Sequence, residues 1–254
     1  MPPTVLYIVG IVLVLWASME FTIWRMGVLR KRKLELLEMQ MEYARLEDKA
    51  LRAQMDPHFI FNSLNSIKLL VQENENEKAI YYLTTFTKLL RGLLQNADKP
   101  TIRLYDELET CKMYLELESL RFNDSFGYRI DVPAELDLKT IEVPGLILQP
   151  FVENAIWHGL MPKKGKRELN ISINSDGSWV TCLVDDNGIG RKAAMQKKEV
   201  NGTHVSKGMQ LTGERMKLNE KLYDTMSQLV IRDKYDPQGE ALGTQVELKI
   251  AINV

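Results

Sequence analysis

The chain has 254 residues, with 33 Lys and Arg against 34 Asp and Glu and a formal charge of −1. That balance offers no basic surface, so direct nucleic-acid binding is not expected. Apolar residues at 45% and charged residues at 26% match globular usage and exclude global disorder and fibrous repeats. At roughly 150 residues per domain, the length suits two folded units with connectors. Cys111 and Cys182, each inside an apolar run, exclude a disulfide scaffold and a Cys-rich zinc module. His58, His158 and His204 are the only imidazoles.

From Val5 to Trp24 the only acid or base is Glu20. About 20 apolar residues at a rise of 1.5 Å span roughly 30 Å, the hydrocarbon thickness of a bilayer. The n-region has no Lys or Arg and no small-residue cleavage site precedes Arg25, which favours an anchor over a signal peptide. Arg25, Arg30, Lys31, Arg32 and Lys33 follow with no acid among them, so the positive-inside rule sets everything beyond in the cytoplasm. A single-pass protein of the inner (cytoplasmic) membrane is expected. Sensing then occurs within the membrane, or the chain is the C-terminal piece of a longer protein.

Leu34, Leu37, Met41, Ala44, Leu51 and Met55 recur at helical spacings, without Gly or Pro before Pro57. The pattern predicts an amphipathic helix, either one strand of a parallel dimeric coil or a helix packed on its own domain. Asp48 interrupts the seam.

Pro57 would kink or restart a helix just before His58, and Phe59, Ile60, Phe61, Leu64 and Ile67 are its expected buried face. No second His or Cys stands near enough in sequence to suggest a metal site. An imidazole with a pKa near 6.5 is partly neutral in the cytoplasm and can act as a nucleophile. Residues 76–97 read as a second helix with Ala79, Ile80, Leu83, Phe86, Leu89, Leu90, Leu93 and Leu94 on one broad face. The polar turn Glu73-Asn74-Glu75-Asn76 joins the two into a hairpin, and two hairpins in a dimer would form a four-helix bundle.

The run Gln54 to Ile67 contains Pro57-His58-Phe59-Ile60-Phe61-Asn62-Ser63-Leu64-Asn65. It resembles the phosphoacceptor motif of the LytS-type sensor histidine kinases, and the resemblance continues in order to residue 254. Its further boxes are Leu104-Tyr105-Asp106-Glu107-Leu108, Tyr114-Leu115-Glu116, Leu120-Arg121-Phe122 and Leu148-Gln149-Pro150-Phe151-Val152-Glu153-Asn154-Ala155. The apolar run, the basic cluster and the helical spacing after it give a membrane anchor over 1–24 and a basic, coiled-coil-like signalling helix over 25–56; the resemblance covers about residues 45 to 254. A dimerisation and phosphoacceptor hairpin would cover 57–100, and an ATP-binding α+β lobe of the GHKL type 101–254.

That last segment alternates. A helix is predicted from 104 to 122, strands at 128–132, 169–174 and 179–185, a helix from 144 to 159, a helix from 208 to 223, and strands at 229–232 and 244–252. Ser175-Asp176-Gly177-Ser178 is a hairpin signal. Short turns between consecutive strands predict a mixed or antiparallel sheet with helices on one face.

Glu153, Asn154 and His158 are adjacent or one turn apart on the predicted helix, so Asn154 and His158 share a face. An amide oxygen there suits Mg²⁺, which takes oxygen ligands with water and phosphate. Asp185-Asp186-Asn187-Gly188-Ile189-Gly190 ends a strand. A buried Asp186 could accept from an exocyclic amine, with glycines letting backbone approach a base; alone, the same run is also an ordinary turn. With Glu153-Asn154 it resembles the adenine pocket of GHKL ATPases. The resemblance assigns Asn154 to Mg²⁺, Asp186 to adenine, and Gly188 and Gly190 to the pocket wall.

Lys192, Lys197, Lys198 and Lys207 lie in a polar run that reads as a lid over phosphates or as a loop ordered only by ATP. Gly208 opens a helix whose amides could meet phosphate. The family's Gly-x-Gly-Leu-x-Asn stands here as Ser206-Lys207-Gly208-Met209-Gln210-Leu211, so one glycine and the asparagine are missing. Arg215 matches the later arginine of the family, and Gly243-Thr244 its closing box. No Gly-x-x-x-x-Gly-Lys-Ser/Thr loop and no serine/threonine-kinase signature set occurs.

The expected protein is a homodimeric sensor kinase that moves the γ-phosphoryl of Mg·ATP to His58. Asp56 is the candidate base. Asn62 is a candidate for positioning water in the reverse reaction. The phosphoryl group would pass to an aspartate of a separate response regulator, by resemblance a DNA-binding protein of the LytTR kind. Two alternatives stand beside this: a dimeric membrane scaffold with a degenerate nucleotide domain, and a GHKL ATPase. The ATPase would want a carboxylate four residues before Asn154, where Pro150 stands.

Overall fold

The computed structural model describes residues 16, 18–33, 57–97, 99, 101–194, 216 and 226–252, and the side chains of these except 57, 58 and 97. The chain divides into two compact units, Met1–Arg45 and Leu46–Val254. In the first, residues 18–33 are helical, with Phe21, Ile23, Trp24 and Met26 exposed. Among the described residues no helix is long and apolar enough to cross a membrane. Most of the expected span, and the whole amphipathic run from Leu34 to Met55, lie outside the described residues.

The second unit opens with two helices, α1 (Pro57–Gln72) and α2 (Asn76–Ala97). Asn74, at φ 61°, takes the left-handed conformation that the polar turn between them requires. Ala79, Tyr82, Phe86, Leu89 and Leu93 recur at three and four and form the buried stripe of α2. Ile80, Leu83 and Leu94 were expected on that stripe, and Phe61 and Leu64 on the buried face of α1. All five are instead exposed, from 48% for Leu83 to 66% for Phe61 and Ile80. Each helix is apolar on more than one side, and the core of this unit takes only one side of each.

Next come β1 (Thr101–Arg103), α3 (Leu104–Arg121), β2 (Gly127–Asp131) and β3 (Glu142–Pro144). Then follow α4 (Gln149–Asn154), a π-helix (Ala155–Leu160), β4 (Glu168–Ser175), β5 (Trp179–Asp186), β6 (Ser227–Tyr235) and β7 (Ala241–Ala251). Five strands form one sheet in the order β2-β4-β5-β7-β6, parallel between β2 and β4 and antiparallel elsewhere. The mixed sheet of an α+β fold is therefore present. In β5, residues Val180, Cys182, Val184 and Asp186 alternate into the buried layer, as period-two patterning requires. The 175–178 hairpin forms as expected, with the Asp176 carboxylate accepting from the amides of Ser178 (2.9 Å) and Trp179 (2.7 Å).

The helix predicted from 144 to 159 begins later. Glu142–Pro144 pairs antiparallel with Thr101–Arg103, and Leu146 turns at φ 58° before α4 starts. The carboxylate of Glu107, fully buried on α3, holds this turn by accepting from the amides of Leu146 and Leu148, both at 2.8 Å. The predicted helix from 208 to 223 lies outside the described residues apart from Met216, which is helical and buried.

Where α1 and α2 meet α3, three buried polar atoms lack a hydrogen bond among the described residues: Ser63 Oγ, Tyr82 Oη and Glu118 Oε2. Burial pushes the Glu118 carboxyl up to about 7, against the pull of Arg121 at 3.4 Å. A carboxyl whose folded pKa exceeds its unfolded value of 4.5 favours folding in its protonated form. Its stabilisation is therefore complete below pH 4.5 and is lost as pH rises to about 7, by at most about 3 kcal/mol. Buried Asp186, raised from 3.8 to about 6, acts in the same direction at lower pH. Denaturation midpoints of the wild type should fall between pH 6 and 7, and Glu118→Gln should flatten that part of the curve. An unchanged slope in the variant would assign the effect elsewhere.

Candidate functional site

Asp186 ends β5 with 5% of its surface exposed. Its Oδ1 accepts from the amides of Gly188 (2.7 Å) and Thr244 (3.3 Å). Burial outweighs these donors and the pull of Lys234, leaving the carboxyl raised to about 6. Three glycines press against it. A Cβ on Gly159 would stand 3.0 Å from Oδ1, one on Gly188 would overlap the backbone of Gly159, and one on Gly243 would overlap the Asp186 carbonyl. Gly243 also sits at φ 121°. The amide of Ile189 donates to the Gly159 carbonyl at 3.0 Å, fastening the turn after β5 to the π-helix. Gly190, at φ 75°, meets Ala241 at the start of β7.

Around this corner lie paired charges. Arg191 grips Asp233 with two hydrogen bonds of 2.8 Å, and Lys234 pairs with Asp185. Asn187 closes the turn on the other side, its Oδ1 accepting from the Glu168 amide at 2.9 Å while its carbonyl accepts from Lys163.

Along α4 and the π-helix, Phe151, Val152, Ala155, Ile156, Gly159 and Leu160 enter the core, and Glu153, Asn154, Trp157 and His158 remain half-buried. Asn154 and His158 thus occupy one face, which Trp157 joins. The Asn154 amide donates to the Pro150 carbonyl, and Gln149 Nε2 donates to Glu153 at 2.9 Å. The switch from α to π geometry after Asn154 widens the turn beside the Asp186 corner; such segments are frequent at functional sites. Among the described residues there is no group of three His, Cys, Asp or Glu side chains able to hold a metal. Asn154 carries one side-chain amide oxygen, and Mg²⁺ commonly binds through few protein oxygens, taking its other ligands from phosphate and water.

The structure thus brings Asp186, Gly188, Gly190 and Thr244 together beside the helix carrying Glu153, Asn154 and His158. Gly208, Arg215 and Asp56 lie outside the described residues. His58 lies in the first turn of α1, and Asn62, one turn on, is half-buried. Sequence reasoning missed Gly159 and Glu107. A glycine after His158 reads as an ordinary helix end, and an acid on an amphipathic helix as solvated surface.

Substituting the glycines should separate strain from space. Gly177→Ala, at φ 89° with nothing near, should cost about 1 kcal/mol. Gly243→Ala adds an overlap with the Asp186 backbone and should cost roughly 3 kcal/mol or more in urea unfolding. Equal costs would refute the close packing at this corner.

The histidine kinase family model matches residues 46–126. Over 161 residues, 62% of this chain, the sequence is 35% identical to the sensor protein LytS of Staphylococcus haemolyticus. It is 36% identical over 162 residues to the sensor histidine kinase/phosphatase LytS of Staphylococcus aureus. The chain spans only 27% of the length of these relatives. The histidine kinase domain of the blue-light activated kinase from Erythrobacter litoralis covers 83% of this chain, and 94% of that domain is matched, at 12% identity and a TM-score of 0.42. The chain is thus similar to histidine kinases over residues 46–126 and, over 62% of its length, to LytS-type sensor proteins.

Proposed function

We propose that this chain autophosphorylates His58 from Mg·ATP and passes the phosphoryl group to an aspartate of a separate response regulator. The observation that carries the reading is the buried, glycine-walled Asp186 corner beside the half-buried face of Asn154 and His158, in the same folded unit as the helix that begins Pro57-His58. A carboxylate with both flanking amides on one oxygen retains acceptor capacity on the other, which suits the exocyclic amine of adenine. Glycines at 188 and 243 let backbone pack on backbone around this carboxylate, which supports a rigid, preformed corner for the base.

The roles proposed for this chain's residues follow. Asp186 binds the base, with Gly188, Gly190 and the Thr244 backbone shaping its wall. Asn154 gives an amide oxygen to Mg²⁺; Glu153 and His158 border the phosphates. The ion, when bound, neutralises phosphate charge. Gly208 and Arg215 are assigned to the phosphate side. A neutral nitrogen of His58 attacks the γ-phosphorus in line, the bond to the leaving ADP oxygen breaks, and a phosphohistidine forms. Asp56 is the candidate acceptor for the imidazole proton. Asn62 is the candidate for orienting a water in the phosphatase duty that the relatives' name carries.

Homodimerisation is proposed through the apolar sides of α1 and α2 that this unit leaves exposed, including Phe61, Leu64, Ile80 and Leu83. Several large apolar side chains left exposed on two adjoining helices suit an interaction site. Anchoring through residues 5–24, a cytoplasmic catalytic part and a LytTR-type regulator complete the proposal. They rest on the apolar run, the basic cluster after it and the family resemblance.

The test is labelling with γ-³²P ATP. Acid-labile, base-stable label should appear on the wild type and vanish in His58→Ala; label that persists would put the acceptor elsewhere. Asp186→Asn should weaken Mg·ATP binding by roughly tenfold or more while leaving the unfolding midpoint near that of the wild type. Unaltered affinity in that variant would remove Asp186 from the base pocket.

A further inference from the structure

The residue after His58 makes a specific contact. The ring of Phe59 lies 5.4 Å from that of Tyr114 on α3, centroid to centroid, and 6.0 Å from Phe86 on α2. Tyr114 is 2% exposed, and its hydroxyl accepts from the indole Nε1 of Trp157 at 3.1 Å. Burial raises the Tyr114 hydroxyl well above its ordinary value, so it stays neutral and keeps this acceptor at any physiological pH.

Trp157 belongs to the π-helix, three residues beyond Asn154 and beside His158. Its ring is fixed by two further partners from the end of α3. The Arg121 guanidinium stands 4.7 Å from the indole, and Phe122 meets it edge-on at 5.4 Å. A contiguous line of packed groups therefore runs from the first turn of α1, through one buried tyrosine, to the helix that borders the Asp186 corner.

We infer that Tyr114 is a positioning residue that couples the helix bearing His58 to the helix bearing Asn154, through Phe59 on one side and Trp157 on the other. This rests on the nucleotide-site reading above. Packed interiors have no slack for a ring the size of tyrosine to move alone. Reorientation of the π-helix displaces the indole, the indole displaces the hydroxyl that holds it, and the tyrosine ring is the surface on which Phe59 lies. The π-helix over residues 155–160 bonds i→i+5 where an α-helix bonds i→i+4, and such segments are frequent at functional sites. Ligand contacts at Asn154 would act on this segment, and Tyr114 would transmit the effect. The coupling must then be reciprocal: nucleotide binding steadies α1, and the state of α1 alters nucleotide affinity.

Hydrogen exchange on the full chain tests this without altering α1. Saturating Mg·ADP, which binds without transferring a phosphoryl group, should slow amide exchange in α1 by about fivefold or more in the wild type. Tyr114→Phe keeps the ring and removes the acceptor. It should still bind Mg·ADP but show less than about twofold protection in α1, while the protection of β5 and the turn after it remains. A purely structural role would change exchange throughout and not this one difference. Trp157→Phe, which removes the donor, should behave alike and serves if Tyr114→Phe does not fold. Equal α1 protection in wild type and variant, or none in the wild type with nucleotide bound, overturns the coupling. Failure of the wild type to bind Mg·ADP at all would overturn the nucleotide site itself, which is a separate result.

Discussion

The Asp186 carboxylate stands where the end of β5, the start of β7 and the π-helix converge, and the rest of the site follows from keeping it there. A buried carboxyl with one oxygen held by two backbone amides must have those amides delivered accurately. Delivery requires backbone to approach backbone, which glycine at 188 and 243 permits, while Gly159 leaves room for the carboxylate itself. The cost of burying the acid is seen in its carboxyl, which burial raises to about 6 despite the two amides and Lys234.

A second buried acid performs a structural task of a different kind. Glu107 has no exposed surface, and its two oxygens take the amides that the turn at Leu146 would otherwise leave unpaired. Leu146 holds a left-handed conformation that a leucine adopts only under constraint, and the carboxylate supplies it. Through that turn α3 determines where α4 begins, and so where Asn154 stands relative to Asp186. The two acids are thus in series: one orients the helix, the other defines the corner the helix borders.

The exposed apolar residues of α1 and α2 follow from the same economy. A two-helix layer has two apolar sides, and α3 covers only one. Tyr82 and Phe86 meet the core of this unit, whereas Ile80 and Leu83, on the neighbouring turn faces, do not. Periodicity identified all these residues as apolar and helical, yet it carries no account of which side meets which neighbour.

Much was legible from the chain alone because its signals are local. The span of α2, the alternation in β5 and the turn at Gly177 each arise from interactions within a few residues. The Pro57–Asn65 run and the Asp186 turn were legible as patterns of residue types. What tertiary structure alone decided is non-local. The three-residue pairing of β1 with β3 joins segments some forty residues apart and has no periodicity to read. The late start of α4, the π-helix after Asn154, the press of Gly159 against Asp186, and the line from Phe59 through Tyr114 to Trp157 all depend on which surfaces meet. Composition and spacing determine which residues can be buried and which can do chemistry. Only packing, where volume and unpaired backbone groups must be settled together, decides which of them touch.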